Sequence, residues 1–168
     1  MEREGSQVDL FVAVLVRFPQ IGTIHYDPET KALRLTFLLR ETEQDFPVFV
    51  SRFETHLAVF HNLRQEEVSL ASLKKTDTGA LTSLEVIRDL ASLSLSELRL
   101  IVELVSDYYG SALVQDGPPM AEEDEFEQNL FIESLLMSTN WRTPQRLTGF
   151  RENGRVLVFS VPTGVSES

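Results

Sequence analysis

Residues 94–110 of this 168-residue chain, SLSELRLIVELVSDYYG, specify their structure more completely than any other stretch. The hydroxyl of Ser94 is placed to accept from the amide of Glu97, and the Glu97 side chain to return to the amide of Ser94, which is a capping box. Leu93 and Leu98 flank the cap as a hydrophobic staple. Leu98, Ile101, Val102, Val105 and Tyr109 then recur at helical spacing, so they share one face. Leu104 and Tyr108 widen that face, while Glu97, Arg99, Glu103 and Asp107 are expected mostly on the other. Gly110 supplies the left-handed stop that many helices use. A helix with so wide an apolar stripe must bury it, and the sequence on either side offers strands.

The strand readings follow from alternation and turn chemistry. Residues 8–18 carry Val8, Leu10, Val12, Val14, Val16 and Phe18 at period two, with Phe11, Ala13 and Leu15 between them. This predicts a first strand buried on both faces. Residues 1–7 are polar and are expected to fray. Residues 23–26 and 32–40 form a hairpin around Asp27-Pro28-Glu29-Thr30, with Leu33, Leu35, Phe37 and Leu39 toward the core. A helix capped at Asp45 follows through about residue 62, with Phe46, Phe49, Val50, Phe53, Leu57 and Phe60 at helical spacing. Residues 68–74 and 80–88 make a second hairpin before the capped helix.

Strand, helix, strand, strand, helix from residue 32 is the split βαβ order of ferredoxin-like folds, completed if residues 111–115 are a short strand. Gly117-Pro118-Pro119 then interrupts the chain. A third helix is expected over 121–138, with an acidic first turn that suits the helix dipole. Residues 146–151 and 156–161 flank Asn153-Gly154, the strongest short-range turn signal in the chain. The fold class expected is therefore α+β: a largely antiparallel sheet with helices mainly on one face, plus a C-terminal helix and β-hairpin. The divisions are a core over 1–115, a Gly/Pro/acidic linker over 116–125, and a helix plus hairpin over 126–168. The last part is too small to hold a core of its own, so it is expected to pack on the first or on a second subunit.

Composition narrows the function classes. The chain has no cysteine, which removes disulfides, thiolate metal sites and thiol catalysis, and fits a reducing, cytoplasmic setting. The net charge of -11 repels nucleic-acid phosphates and anionic membranes in bulk. No run of about 18 apolar residues exists, and Arg17, Phe18 and Pro19 follow the longest apolar stretch where a cleavage site would need small residues. No membrane contact is expected. His56 and His61 stand five apart and diverge by about 140° on a helix, so with His25 they make no metal pattern. Neither a Gly-x-Ser-x-Gly elbow nor a phosphate-cradling glycine loop occurs, and no cofactor is expected.

One contrast in charge stands out. Residues 116–133 carry Asp116, Glu122, Glu123, Asp124, Glu125, Glu127 and Glu133 without a Lys or Arg. Residues 141–155 carry Arg142, Arg146, Arg151 and Arg155 beside Trp141 and Phe150. This island offers an anion, RNA-backbone or partner contact, with Gly149 leaving room beside Arg151 for a flat group. The simpler reading is solvated charge paired with the acidic segment. On the functional reading, an acidic segment that covers the island gates it. The third helix also holds more apolar residues than one stripe needs. Phe131, Ile132, Leu136 and Met137 are therefore the expected self-association residues.

These features favour a non-enzymatic interaction or regulatory module, homo-oligomeric and open to a protein partner. The alternatives are a small enzyme with a scattered carboxylate, histidine and arginine site, and an RNA- or ribosome-associated factor acting through the arginine island.

Overall fold

A computed structural model describes residues 4–65, 71–118, 120–138 and 145–162. Its elements in chain order are α1 (Glu4–Arg17), β1 (Thr23–Asp27), β2 (Ala32–Leu39), α2 (Phe46–Arg64), β3 (Ala71–Thr78) and β4 (Leu81–Asp89). Then follow α3 (Leu95–Tyr109), α4 (Glu122–Ser138), β5 (Gln145–Glu152) and β6 (Arg155–Pro162), with short 3-10 turns on either side of α3.

The first element departs from the sequence reading. Residues 8–17 belong to helix α1, and Glu4 to Gln7, expected to fray, form its first turn. The apolar run fits both periods, but its length is that of a helix rather than a strand. At helical spacing Leu10, Phe11, Val14 and Leu15 are buried against the sheet and its neighbours, while Val8 and Val12 are half-buried and Val16 is exposed.

The six strands form one sheet in the order β3-β4-β2-β1-β5-β6, every neighbouring pair antiparallel. The fold class is thus α+β, with helices on one face of an antiparallel sheet. Ile24, Tyr26, Leu33, Leu35, Phe37, Leu39, Leu84, Val86 and Leu147 point to the helices and are buried. The first hairpin keeps its expected chemistry, because the Asp27 carboxylate accepts from the Glu29 amide at 2.9 Å and Lys31 turns the chain at a φ of 55°.

Strands β2 and β3 run parallel with β4 between them, which is the split βαβ unit. Its expected last strand over 111–115 shrinks to a 3-10 turn and one bridge, Leu113 to Leu39. The reason is occupancy: β1 already pairs along the first part of β2, leaving only the end of β2 free. The second hairpin turns at Gly79-Ala80, so residues 75–78, expected between the strands, extend β3, and residues 68–70 of the expected strand lie outside the described residues. Strand β5 pairs with β1, so the C-terminal hairpin extends the same sheet. Helix α4 begins at Glu122, within the segment read as linker, and packs on α1.

Candidate interaction surface

Among the described residues, the arginines of the island do not gather into an anion site. Arg151 points inward. Its Nε donates to the Ile21 carbonyl at 2.9 Å, and its Nη2 donates to the carbonyls of Phe18, at 2.8 Å, and Leu15. These oxygens belong to the end of α1 and the loop after it, where unpaired carbonyls and the negative end of the helix dipole need a cation. Burial lowers the Arg151 pKa, and Asp116 at 3.8 Å opposes that shift. Arg151 therefore fixes α1 to β5.

The room expected beside Gly149 is filled by protein. A Cβ there would meet Ile24 Cγ2 at 3.0 Å and Leu15 Cδ1 at 3.1 Å, so the glycine admits α1 rather than a ligand. Arg146 faces the other side of the sheet and pairs with Glu29 at 3.6 Å. Arg155 stands exposed at the hairpin turn, opposite Glu152 as the Asn153-Gly154 turn predicts. Trp141 and Arg142 lie outside the described residues. The acidic first turn of α4 finds its cation elsewhere: Glu125 and Asn129 receive Arg17 of α1 at 3.2 and 2.9 Å.

The charged cluster that the structure does assemble lies at the other end of the sheet. Arg88 and Glu97 are fully buried. Arg88 grips Glu97 in a two-pronged contact through Nε and Nη2, the latter at 2.6 Å, and its Nη1 reaches Asp89 and, at 3.1 Å, the Ser92 hydroxyl. Ser92 in turn donates to Asp89 at 2.5 Å. His61 Nε2 meets the same Glu97 oxygen, Oε1, at 2.7 Å. Burial alone would lower the Arg88 pKa, but the Glu97 hydrogen bond and the charges of Glu97 and Asp89 outweigh it and hold it above its ordinary value.

The cluster joins β4, α2 and α3. It also redirects the cap: Ser94 accepts from Glu97 N at 3.2 Å as predicted, but the Glu97 carboxylate turns into the core. Sequence reasoning placed Glu97 on the polar face and passed over Arg88. The signal was present in β4, where Leu84, Val86 and Arg88 alternate onto the buried face. His61 borders a cleft of about 370 Å³ lined by Phe53, Leu57, Ala58 and Leu73. The other histidines bond separately, His25 Nδ1 with Thr148 Oγ1 at 2.7 Å and His56 Nδ1 with the Arg52 carbonyl at 2.7 Å.

Apolar exposure concentrates in the C-terminal part. Helix α4 has apolar residues on opposite sides. Ile132 is 0% exposed and Leu135 is buried, so Ile132 is a core residue rather than the self-association residue the sequence suggested. Leu136 is half-buried against the core. On roughly the opposite side Phe126, Leu130 and Met137 fall within about 40° of one another; Phe126 is 68% exposed and Met137 88%. Phe131 is also exposed. On β6, Phe159 and Val161 are exposed, and the Phe159 ring lies 5.4 Å from that of Phe150 on the sheet face away from the helices.

No protein-family model, curated protein or solved structure matches this chain in the comparisons made with each. No described helix is long and apolar enough to cross a membrane.

Proposed function

We propose that this chain is a non-enzymatic interaction module that acts as a homodimer, with its contact surface within residues 126–161. One observation carries the reading. Of the large apolar side chains left exposed among the described residues, Phe126, Leu130, Phe131, Met137, Phe159 and Val161 all belong to this part, against Val16, Val48, Val59 and Leu63 in the rest. Phe126, Leu130 and Met137 share one side of α4, and exposed apolar groups that cluster in this way mark a contact site.

The other two readings find less support. Of the arginines an RNA contact would use, Arg146 and Arg151 are already committed to Glu29 and to backbone carbonyls. A scattered carboxylate, histidine and arginine site would be His61, Glu97 and Arg88. Both Glu97 oxygens already take hydrogen bonds from Arg88 inside the core, and one of them also meets the part-buried His61.

The test is multi-angle light scattering at tens of micromolar. A mass of twice the 19.1 kDa chain is expected, and a monomer across that range contradicts the proposal.

A further inference from the structure

The two edges of the sheet differ in a way that names the seam. Strand β6 is the outer strand beside β5. Asn153 and Gly154 have φ of 52° and 75°, so the hairpin closes with a two-residue turn of the mirror-image type, and Glu152 with Arg155 is its hydrogen-bonded closing pair. Alternation then fixes which backbone groups of β6 face β5. Those of Arg155, Leu157, Phe159 and Val161 do, while those of Val156, Val158 and Ser160 face outward. Pro162 falls on the outward set, where its missing N–H costs no bond to β5.

We propose that β6 pairs antiparallel with β6 of a second copy across a two-fold axis at Val158, joining two sheets into one. This deepens the homodimer reading and rests on it. The register follows from the outward set. With the axis at Val158, Val156 exchanges bonds with Ser160 of the second copy, Val158 with its own mate, and Ser160 with Val156 of the second copy. Moving the axis to Phe159 sets Val156 against Pro162, which lacks a donor. Moving it to Leu157 sets Ser160 against the Gly154 turn.

In the chosen register Leu157 stands directly opposite Phe159 of the second copy, in the closer, non-hydrogen-bonded type of pair. Both lie on the sheet face where Phe159 already contacts Phe150, so the apolar cluster of one copy continues into the other. On the helix side, α1 packs over β5 and β6 and carries Val8, Val12 and Val16 at four-residue spacing on its less buried side. Specific interfaces bury roughly 1,200–2,000 Å², so a strand edge needs apolar surface beside it, which the less buried side of α1 is suited to supply.

The occupant is a copy of this chain rather than an open chain of copies, because the opposite edge discourages pairing. The outward backbone groups of β3 belong to Ala71, Leu73, Lys75 and Asp77, and Lys74 stands between them. Charged side chains guard an edge in this way. The β6 edge has no acidic residue, so the net charge of -11 is not focused there.

The test combines two variants with a cross-link. Phe159→Lys places an ammonium opposite Leu157 and should weaken self-association roughly 30-fold or more, while the thermal unfolding of the monomer changes little. Val158→Pro removes the central outward N–H and should have the same effect on association. Because the chain has no cysteine, Leu157→Cys and Phe159→Cys chains can be mixed and oxidised without background. A disulfide between the two kinds of chain, forming faster than within either alone, is expected. A dimer that survives Phe159→Lys and Val158→Pro but dissociates on Phe126→Glu with Leu130→Glu overturns the β6 seam and leaves the homodimer reading standing. A wild-type monomer overturns both.

Discussion

Strand β3 ends one side of the sheet with Lys74, Lys75 and Asp77, whereas β6 ends the other with Val156, Leu157, Val158, Phe159 and Val161. Their flanks differ in the same sense. Beside β3 and β4, Arg88, Asp89, Glu97 and His61 satisfy one another inside the core. Beside β5 and β6, the inward-pointing Arg151 holds the backbone of α1, and apolar side chains face solvent on α4 and β6. On the homodimer proposal, the contrast is a division of work along one sheet. Polar groups that lock elements together are internal on one flank, and groups suited to meeting another surface are external on the other.

The largest expected effect breaks the locked flank. Glu97→Ala leaves Arg88 buried without its forked partner and should cost about 3–5 kcal/mol, read from the denaturant midpoint at constant slope. If Glu97→Ala unfolds near the wild-type midpoint, the cluster does not anchor that flank.

Arg151→Met should come next. It keeps the aliphatic stem but takes the guanidinium from the carbonyls of Leu15 and Ile21 and leaves that of Phe18 with the Ile21 amide alone, at a cost of about 2–3 kcal/mol. Hydrogen exchange should speed up at the end of α1 and stay unchanged at α3. A uniform loss across both helices would mean that Arg151 is not specific to its flank.

These two residues also mark the limit of what was legible beforehand. Local chemistry announced β2, the turns after β1 and after β5, and α3 with its Ser94 cap, because alternation, Asn-Gly and capping patterns act over a few residues. It did not announce α1, because an unbroken apolar run satisfies period two and period 3.6 alike, and only burial between sheet and α4 decides between them. Glu97 reads as a capping residue until Arg88, nine positions earlier in sequence, is brought beneath it. The arginine island reads as a patch because spacing alone does not reveal that Arg151 turns inward. What was missed depends on long-range packing in each case.

The smallest expected effect concerns the open face of the sheet. Burial, followed by Arg34, lowers the His25 pKa from its ordinary 6.5 in the folded chain. The folded state thus binds this proton less readily than the unfolded one. The resulting stability is complete above the unfolded value and is lost as pH falls through it toward the folded value. Denaturation midpoints should decline on acidification below about 6.5, and His25→Gln should flatten that part of the profile. An unchanged profile in the variant assigns the decline to other groups.

The most direct measurement follows amide exchange on the two edges as protein concentration rises from submicromolar to tens of micromolar. The outward amides of Val156, Val158 and Ser160 should become protected with concentration, while those of Leu73, Lys75 and Asp77 continue to exchange at one rate. Equal exchange of both edges at every concentration, or protection on β3 instead, contradicts the account.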